Sequence, residues 1–208
     1  MNKPPKRLLN GYVGVKFEAV QRSEAPHPEM PGLYPGFRRI GERLKLHDMT
    51  PANAGNMSVR YRHGLAITAS GCNLGYIEKN EIVLVITCQV EKRRVFYQGP
   101  IKPSSESIMH WLIYGYQTGA KVIIHAHDQF ATRPELLAGE VAETEREEPY
   151  GTVELARMAI ETFQRGEPIV ILKNHGYVAF GSDLDQTCDL VVDAHLSLLR
   201  KLQSSKAS

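Results

Sequence analysis

Between Phe37 and Leu46 the apolar residues Phe37, Ile40 and Leu44 recur three and four apart among Arg38, Arg39, Glu42, Arg43 and Lys45, which predicts a short amphipathic helix. The period then changes. Leu65–Thr68, Ile82–Thr87 and Val95–Tyr97 are short β-type runs, with Glu91-Lys92-Arg93-Arg94 as a polar turn before the third. Helical spacing returns over Ser105–Gln117 through Ile108, Leu112 and Tyr116, and Val122–His125 reads as a buried strand. Thr152–Gln164 predicts a helix opened by Gly151 and Thr152 and closed at Gly166. Ile169–Leu172 and Tyr177–Phe180 flank a tight Lys-Asn-His-Gly turn, the pattern of a hairpin. Leu184, Cys188, Val191, His195, Leu198 and Leu202 then lay one apolar stripe along a long helix, with Ser182-x-x-Asp185 as its capping box. Strands and helices are mixed along the chain.

Two stretches lack a period. Residues 25–36 hold four prolines and two glycines, which oppose helix and strand alike, so residues 1–36 are assigned to an N-terminal arm or linker and the folded domain to residues 37–208. Residues 133–149 are loop-like and acidic, carrying Glu140, Glu143, Glu145, Glu147 and Glu148 around Arg146, the pattern of a solvated face or mobile loop.

The 208 residues carry 25 Lys and Arg against 23 Asp and Glu, a net charge of +2 that disfavours nucleic acid as the main partner. With 42% hydrophobic residues the chain can bury one sizeable core, which excludes whole-chain disorder. The longest strongly apolar stretch, Ile82–Ile86, is far short of the roughly 20 residues of a membrane helix. The N-terminal Lys3, Lys6 and Arg7 are followed only by Leu8 and Leu9, so no secretory signal is read. Cys72, Cys88 and Cys188 are odd in number and widely spaced, which fits reduced structural thiols in a cytoplasmic protein.

The sharpest chemical signal is His125-Ala126-His127 at the end of a strand. Side chains two apart on a strand share a face, so both imidazoles can reach one ion. His175, in Asn174-His175-Gly176, is a third donor presented by a turn. Three neutral imidazoles leave an ion its full charge and open positions, as in a catalytic zinc site, although a surface pair or satisfied core histidines would give the same string. His195 falls on the apolar stripe and reads as a hydrogen-bonded core or interface residue, while His27, His47, His63 and His110 have no paired partner. A second signal is Lys102-Pro103-Ser104-Ser105-Glu106 at the head of a helix, which suits both an anion seat and an ordinary serine cap. Glu106 suits a helix-dipole carboxylate or a general acid/base. Gly55-Asn56-Met57-Ser58 and Thr68-Ala69-Ser70-Gly71 read as two small-polar turns bracketing a strand.

In order, Gly55-Asn56-x-Ser58, Ile67-Thr68-Ala69-Ser70-Gly71, Pro103-Ser104-Ser105-Glu106, His125-x-His127, Gly151-Thr152-x-Glu154-Leu155-Ala156 and Asn174-His175-Gly176 resemble the class II aldolase and adducin head-domain family, nearest its fuculose-phosphate aldolase type. The resemblance runs from about Phe37 to Leu202. It implies a three-layer α/β/α domain on a central, mainly antiparallel sheet, assembled as a homotetramer with active sites between subunits. It matches His125, His127 and His175 to zinc ligands, with Mn2+ or Co2+ as substitutes. Glu106 matches the carboxylate at the metal that exchanges the substrate proton, which requires its pKa to be raised towards neutrality. Asn56, Ser70, Gly71, Ser104 and Ser105 match a phosphate cradle.

The implied activity is zinc-dependent retro-aldol cleavage of a phosphorylated ketose through a stabilised enediolate. Epimerisation, dehydration or decarboxylation of a sugar phosphate are alternatives on the same fold, as is a non-catalytic adducin-like scaffold. Epimerases of the family tend to carry aspartate at the Glu106 position, and adducin heads lose the metal set. The aldolase type also places a tyrosine between the His-x-His strand and the Gly-Thr helix to protonate the leaving alkoxide. Here Asp128–Pro149 holds no tyrosine, and Tyr150 directly precedes Gly151-Thr152.

Overall fold

The computed structural model describes residues 16–133, 136, 141–164 and 166–207. Nine strands form one sheet in the order β1-β5-β4-β3-β2-β6-β9-β8-β7. They are β1 (Glu18–Ser23), β2 (Asn56–Tyr61), β3 (Gly64–Thr68), β4 (Ile82–Gln89), β5 (Arg94–Gln98), β6 (Val122–Ala126), β7 (Ala142–Glu143), β8 (Ile169–Leu172) and β9 (Gly176–Gly181). The helices are α1 (Tyr34–Leu46), α2 (Ser107–Tyr116), α3 (Val153–Phe163) and α4 (Leu184–Ala207). The sheet is mixed: its interior pairs are antiparallel, while β1 with β5 and β7 with β8 are parallel at its two edges.

Strand periodicity sorts the core into two layers. Ile124 and Tyr177 pack in one apolar cluster with Phe37, Ile40 and Leu44 of α1 and Val191 and Leu198 of α4. Their neighbours Ile123 and Val178 pack in another with Ile108 and Ile113 of α2 and Leu155 and Phe163 of α3. The central strands are apolar on both faces because helices cover both, so the molecule is a three-layer α/β/α domain. No helix among the described residues is long and apolar enough to cross a membrane.

The expected arm behaves differently. Glu18–Ser23 adds to β5, with the Glu18 amide donating to the Arg93 carbonyl at 2.8 Å and the Glu18 carboxylate pairing with Arg94 at 2.5 Å. An edge strand of mostly polar residues carries almost no alternation to read. Prolines within 25–36 also fail to exclude structure. Met30–Gly32 is a 3-10 turn with Met30 buried, and α1 starts at Tyr34 with Pro35 in its first turn, where the missing amide hydrogen costs nothing. The basic Lys3, Lys6 and Arg7 lie outside the described residues, as does Glu140 of the acidic stretch.

Other local expectations shift by a residue or a face. Asp183, not Ser182, caps α4, its Oδ1 accepting from the Gln186 amide at 2.9 Å, and Asp185 instead pairs with Arg39 of α1. Asn56–Ser58 opens a strand rather than a turn, and the β2–β3 hairpin places its start beside Thr68, whose hydroxyl accepts from the Met57 amide. In α2 the buried face runs through Ile108, Met109, Ile113 and Tyr114, leaving Tyr116 42% exposed.

Candidate functional site

The site forms where β2, β6 and β9 meet the head of α2. Asn56 and His125 are direct cross-strand partners on β2 and β6, so both side chains stand on one face. Glu106 caps that space from the residue before α2. The turn from β8 to β9 supplies His175. Asn174 there has φ +56°, its amide donates to Glu147 at 2.9 Å, and the Lys173 amide donates to the Thr144 hydroxyl at 2.9 Å. Gly176 lets β9 close on β6: a Cβ there would lie 2.3 Å from the Ala126 carbonyl oxygen and 2.9 Å from His127 Cα.

These constraints gather the three histidines. Ring centroids lie 4.9 Å apart for His125 and His127, 4.8 Å for His125 and His175, and 4.6 Å for His127 and His175, with one nitrogen of each ring within 4.8 Å of the others. Glu106 closes the group, its Oε2 lying 3.1 Å from His125 Nε2 and its Oε1 4.0 Å from His175 Nε2. Asn56 Nδ2 donates to Glu106 Oε2 at 2.8 Å.

The tautomer of His125 follows from its other contact. Nδ1 lies 2.7 Å from the Tyr177 carbonyl oxygen, which only accepts, so Nδ1 carries a proton and Nε2 is turned towards Glu106. His125 Nε2 and Glu106 Oε1 are both buried without a hydrogen-bond partner among the described residues. A cation between them satisfies both groups, so the donor set fits a divalent ion.

Burial acts oppositely on the two kinds of group. It drives the His127 imidazole down to about 3 and His175 to about 4, with the neighbouring imidazoles adding to it and Glu106 opposing it. Burial alone would raise Glu106, but His125, His175, the Asn56 hydrogen bond and His127 outweigh it and hold the carboxyl at about 2. The expectation of a raised Glu106 is therefore reversed, because polar and basic groups surround the carboxyl.

Beside this group, the turn after β3 meets the segment before α2. The Ser70 amide donates to the Lys102 carbonyl at 2.8 Å and the Ser104 amide to the Thr68 carbonyl at 3.1 Å, bringing Ser70-Gly71 against Ser104-Ser105. Ser104 Oγ accepts from the Glu106 amide at 3.3 Å, a local turn contact, whereas the Ser105 hydroxyl keeps no intramolecular partner among the described residues. Gly151 presses on this segment: a Cβ there would lie 2.9 Å from the Ser105 carbonyl oxygen.

Sequence reasoning missed several residues. Lys16, in the expected arm, holds its ammonium 4.3 Å from the centre of the Tyr150 ring and interacts electrostatically with Glu106 and His175. His110 is bonded to Ser58 at 2.7 Å, and the spacing Glu106-x-x-x-His110, one helical turn, is the signal that would have found it. His195 is hydrogen-bonded as expected, with Asp128 as its partner at 2.9 Å.

Similarity to known proteins gives this three-layer domain its class, that of the class II aldolases. Residues 37–197 match the model of the Class II Aldolase and Adducin N-terminal domain, and the chain belongs to that family. It is 29% identical over 161 residues to an L-fuculose phosphate aldolase of Methanocaldococcus jannaschii, covering 71% of this chain and 83% of the relative. It is 30% identical over 182 residues to a 5-methylthioribulose-1-phosphate/5-deoxyribulose-1-phosphate aldolase of Rhodospirillum rubrum, covering 79% of each. A solved L-fuculose 1-phosphate aldolase superposes with a TM-score of 0.71 at 27% identity, over 85% of this chain and 88% of that one.

Proposed function

We propose that this protein is a metal-dependent lyase that cleaves a phosphorylated ketose by a retro-aldol reaction. The observation that carries the proposal is His125 Nε2 set 3.1 Å from Glu106 Oε2, within a triangle of imidazoles whose nitrogens lie within 4.8 Å of one another. His125, His127 and His175 would hold one divalent ion, zinc by donor type with Mn2+ or Co2+ as substitutes. Such an ion supplies Lewis acidity, polarising the ketose carbonyl and offsetting the negative charge that develops when the carbon–carbon bond breaks.

The chain's own residues do the rest. Glu106, buried beside the imidazoles with Asn56 fixing its Oε2, is the group assigned to exchange the substrate proton. Ser70, Gly71, Ser104 and Ser105, with Asn56, form the phosphate cradle, for which the Ser105 hydroxyl, without an intramolecular partner among the described residues, is support. That cradle is uncharged, and Lys16, beside Tyr150, is a cation that complements a phosphorylated substrate. The protein works in this reading as a cytoplasmic homotetramer.

Dehydration of the same class of substrate is the second reading, favoured by the absence of tyrosine from Asp128–Pro149, where the aldolase type has its sugar-facing acid. The test is metal analysis of purified protein, then incubation with L-fuculose 1-phosphate, 5-deoxyribulose 1-phosphate and related ketose phosphates with product identification. An aldehyde with dihydroxyacetone phosphate supports the lyase. Loss of water without carbon–carbon cleavage makes it a dehydratase, and no metal with no turnover refutes both.

A further inference from the structure

Glu106 heads a buried polar seam that the proposed reaction leaves unexplained. α2 and the residue before it present Glu106, His110 and Tyr114 four apart, and β2 presents Asn56, Ser58 and Arg60 two apart, so each set lines one face. Three rungs join them. Asn56 Nδ2 donates to Glu106 Oε2 at 2.8 Å, Ser58 Oγ lies 2.7 Å from His110 Nδ1, and the Tyr114 hydroxyl lies 3.0 Å from Ser58 Oγ and donates to the Ser58 carbonyl at 3.1 Å. Arg60 closes the outer end, its guanidinium 4.7 Å from the Tyr114 ring centre and donating to the Tyr114 and Ala120 carbonyls.

An apolar helix–sheet contact would avoid the cost of burying these groups, so packing alone does not account for them. The inner end is also incomplete. Glu106 Oε1 and His110 Nε2, one turn apart on the same helix face, are both buried without a partner among the described residues, and His110 has no exposed surface. Hydrogen-bond direction completes the picture. The 2.7 Å contact between Ser58 Oγ and His110 Nδ1 fits a ring that accepts at Nδ1 and carries its proton on Nε2, the atom left for Glu106. Burial keeps the imidazole neutral, driving it down to about 3 against the pull of Glu106.

We propose that His110 is the positioning residue for Glu106: held at Nδ1 by Ser58, it supplies an Nε2–H through one water to Oε1, which lies beyond direct reach, and fixes the orientation from which Glu106 exchanges the substrate proton. The proposal rests on the reading of Glu106 as the proton-transfer group.

Two variants separate this role from packing. The amide of His110→Asn reaches the position of Nδ1 and keeps the Ser58 bond, whereas that of His110→Gln reaches Nε2. Each is compared with wild type for Tm, bound metal, and kcat and KM on whichever ketose phosphate the wild type cleaves. His110→Asn should keep Tm and metal but lose about 10- to 100-fold in kcat with little change in KM, and His110→Gln should recover most of the loss. Wild-type kcat in His110→Asn, or parallel losses of Tm and metal in both variants with no separate recovery of kcat, overturns the proposal.

Imidazole 15N NMR of the wild type gives a readout that needs no substrate. His110 should carry its proton on Nε2, with a resonance that moves in Glu106→Gln, and an Nδ1-protonated ring overturns the proposal even where variants fold poorly. If the wild type turns over no ketose phosphate, the functional reading fails while the NMR result still decides the pairing.

Discussion

Gly176→Ala tests whether the close approach of β9 to β6 builds the histidine triangle. The new Cβ would stand 2.3 Å from the Ala126 carbonyl oxygen, 2.9 Å from His127 Cα and 3.1 Å from the Ala126 carbonyl carbon. All three are backbone atoms, so no side-chain rotation relieves the contact, and carbon atoms are at ease only about 3.5–4.0 Å apart. Gly176 also has φ +156°, which alanine rarely adopts. Overpacking of this kind costs about 1–3 kcal/mol and a strained backbone about 1–3 kcal/mol more. A combined loss near 3 kcal/mol would lower Tm by about 6–12 °C in a chain of this length.

Relief requires the end of β6 to move by about 1 Å against β9, and that shift changes the separation of His127 and His175. With ring centroids only 4.6 Å apart, zinc affinity should fall about 10- to 100-fold. Calorimetric titration of metal-free protein with Zn2+, beside thermal unfolding with and without the ion, reads both effects. Wild-type affinity in a variant with lowered Tm refutes the link between strand approach and ion binding, and an unchanged Tm refutes the packing argument as well.

His127→Ala should retain no stoichiometric divalent ion after dialysis against a chelator, and full retention by elemental analysis would put the ion elsewhere. Glu106→Gln should lower kcat by about 100-fold or more while substrate still binds, whereas Ser105→Ala should mainly raise KM, and more for phosphorylated than for unphosphorylated ketoses. Near-wild-type turnover in Glu106→Gln would reduce that residue to a helix-capping carboxylate. Lys16→Met should raise KM for the phosphorylated ketose and weaken its dependence on salt, and an unchanged salt dependence would remove Lys16 from the site. Burial pushes the Cys88 thiol up to about 12 and Cys188 to about 11 from an ordinary 9.0, so at pH 8 their thiolates are about 1000- and 100-fold scarcer than in an unfolded chain. Native protein should therefore react slowly with a disulfide reagent, and stability should decline above pH 9, where only the unfolded chain ionises these thiols.

What the sequence made legible was local. His125-x-His127 reads as a pair because strand period two is a property of three residues, and Asn174-His175-Gly176 reads as a turn for the same reason. The α4 stripe is legible because helix period acts within one segment. Pairings that depend on distant segments were not. β1 has no signal without β5 beside it, and Asp185 sat in an expected capping box because Arg39, its partner, lies 146 residues away. The face of α2 was misjudged because Glu106, His110 and Tyr114 are buried for hydrogen bonds to β2, and hydropathy counts such residues as outward-facing.

The same cause lies behind the reversed expectation for Glu106. A buried carboxyl among apolar groups is raised, but β2 and β6 set an amide and an imidazole opposite each other in register, and both meet this carboxylate. Burial meanwhile strips the proton from His127 and His175. The pocket therefore combines one anion with neutral nitrogen donors, a charge pattern that attracts a cation and repels a phosphate dianion. A substrate carrying phosphate has to keep that group clear of Glu106, and the uncharged Ser70-Gly71 and Ser104-Ser105 turns, with Lys16 nearby, are where the proposed reading seats it. Separating the two charges in this way gives the substrate one orientation, which is what directing bond cleavage to a single carbon–carbon bond requires.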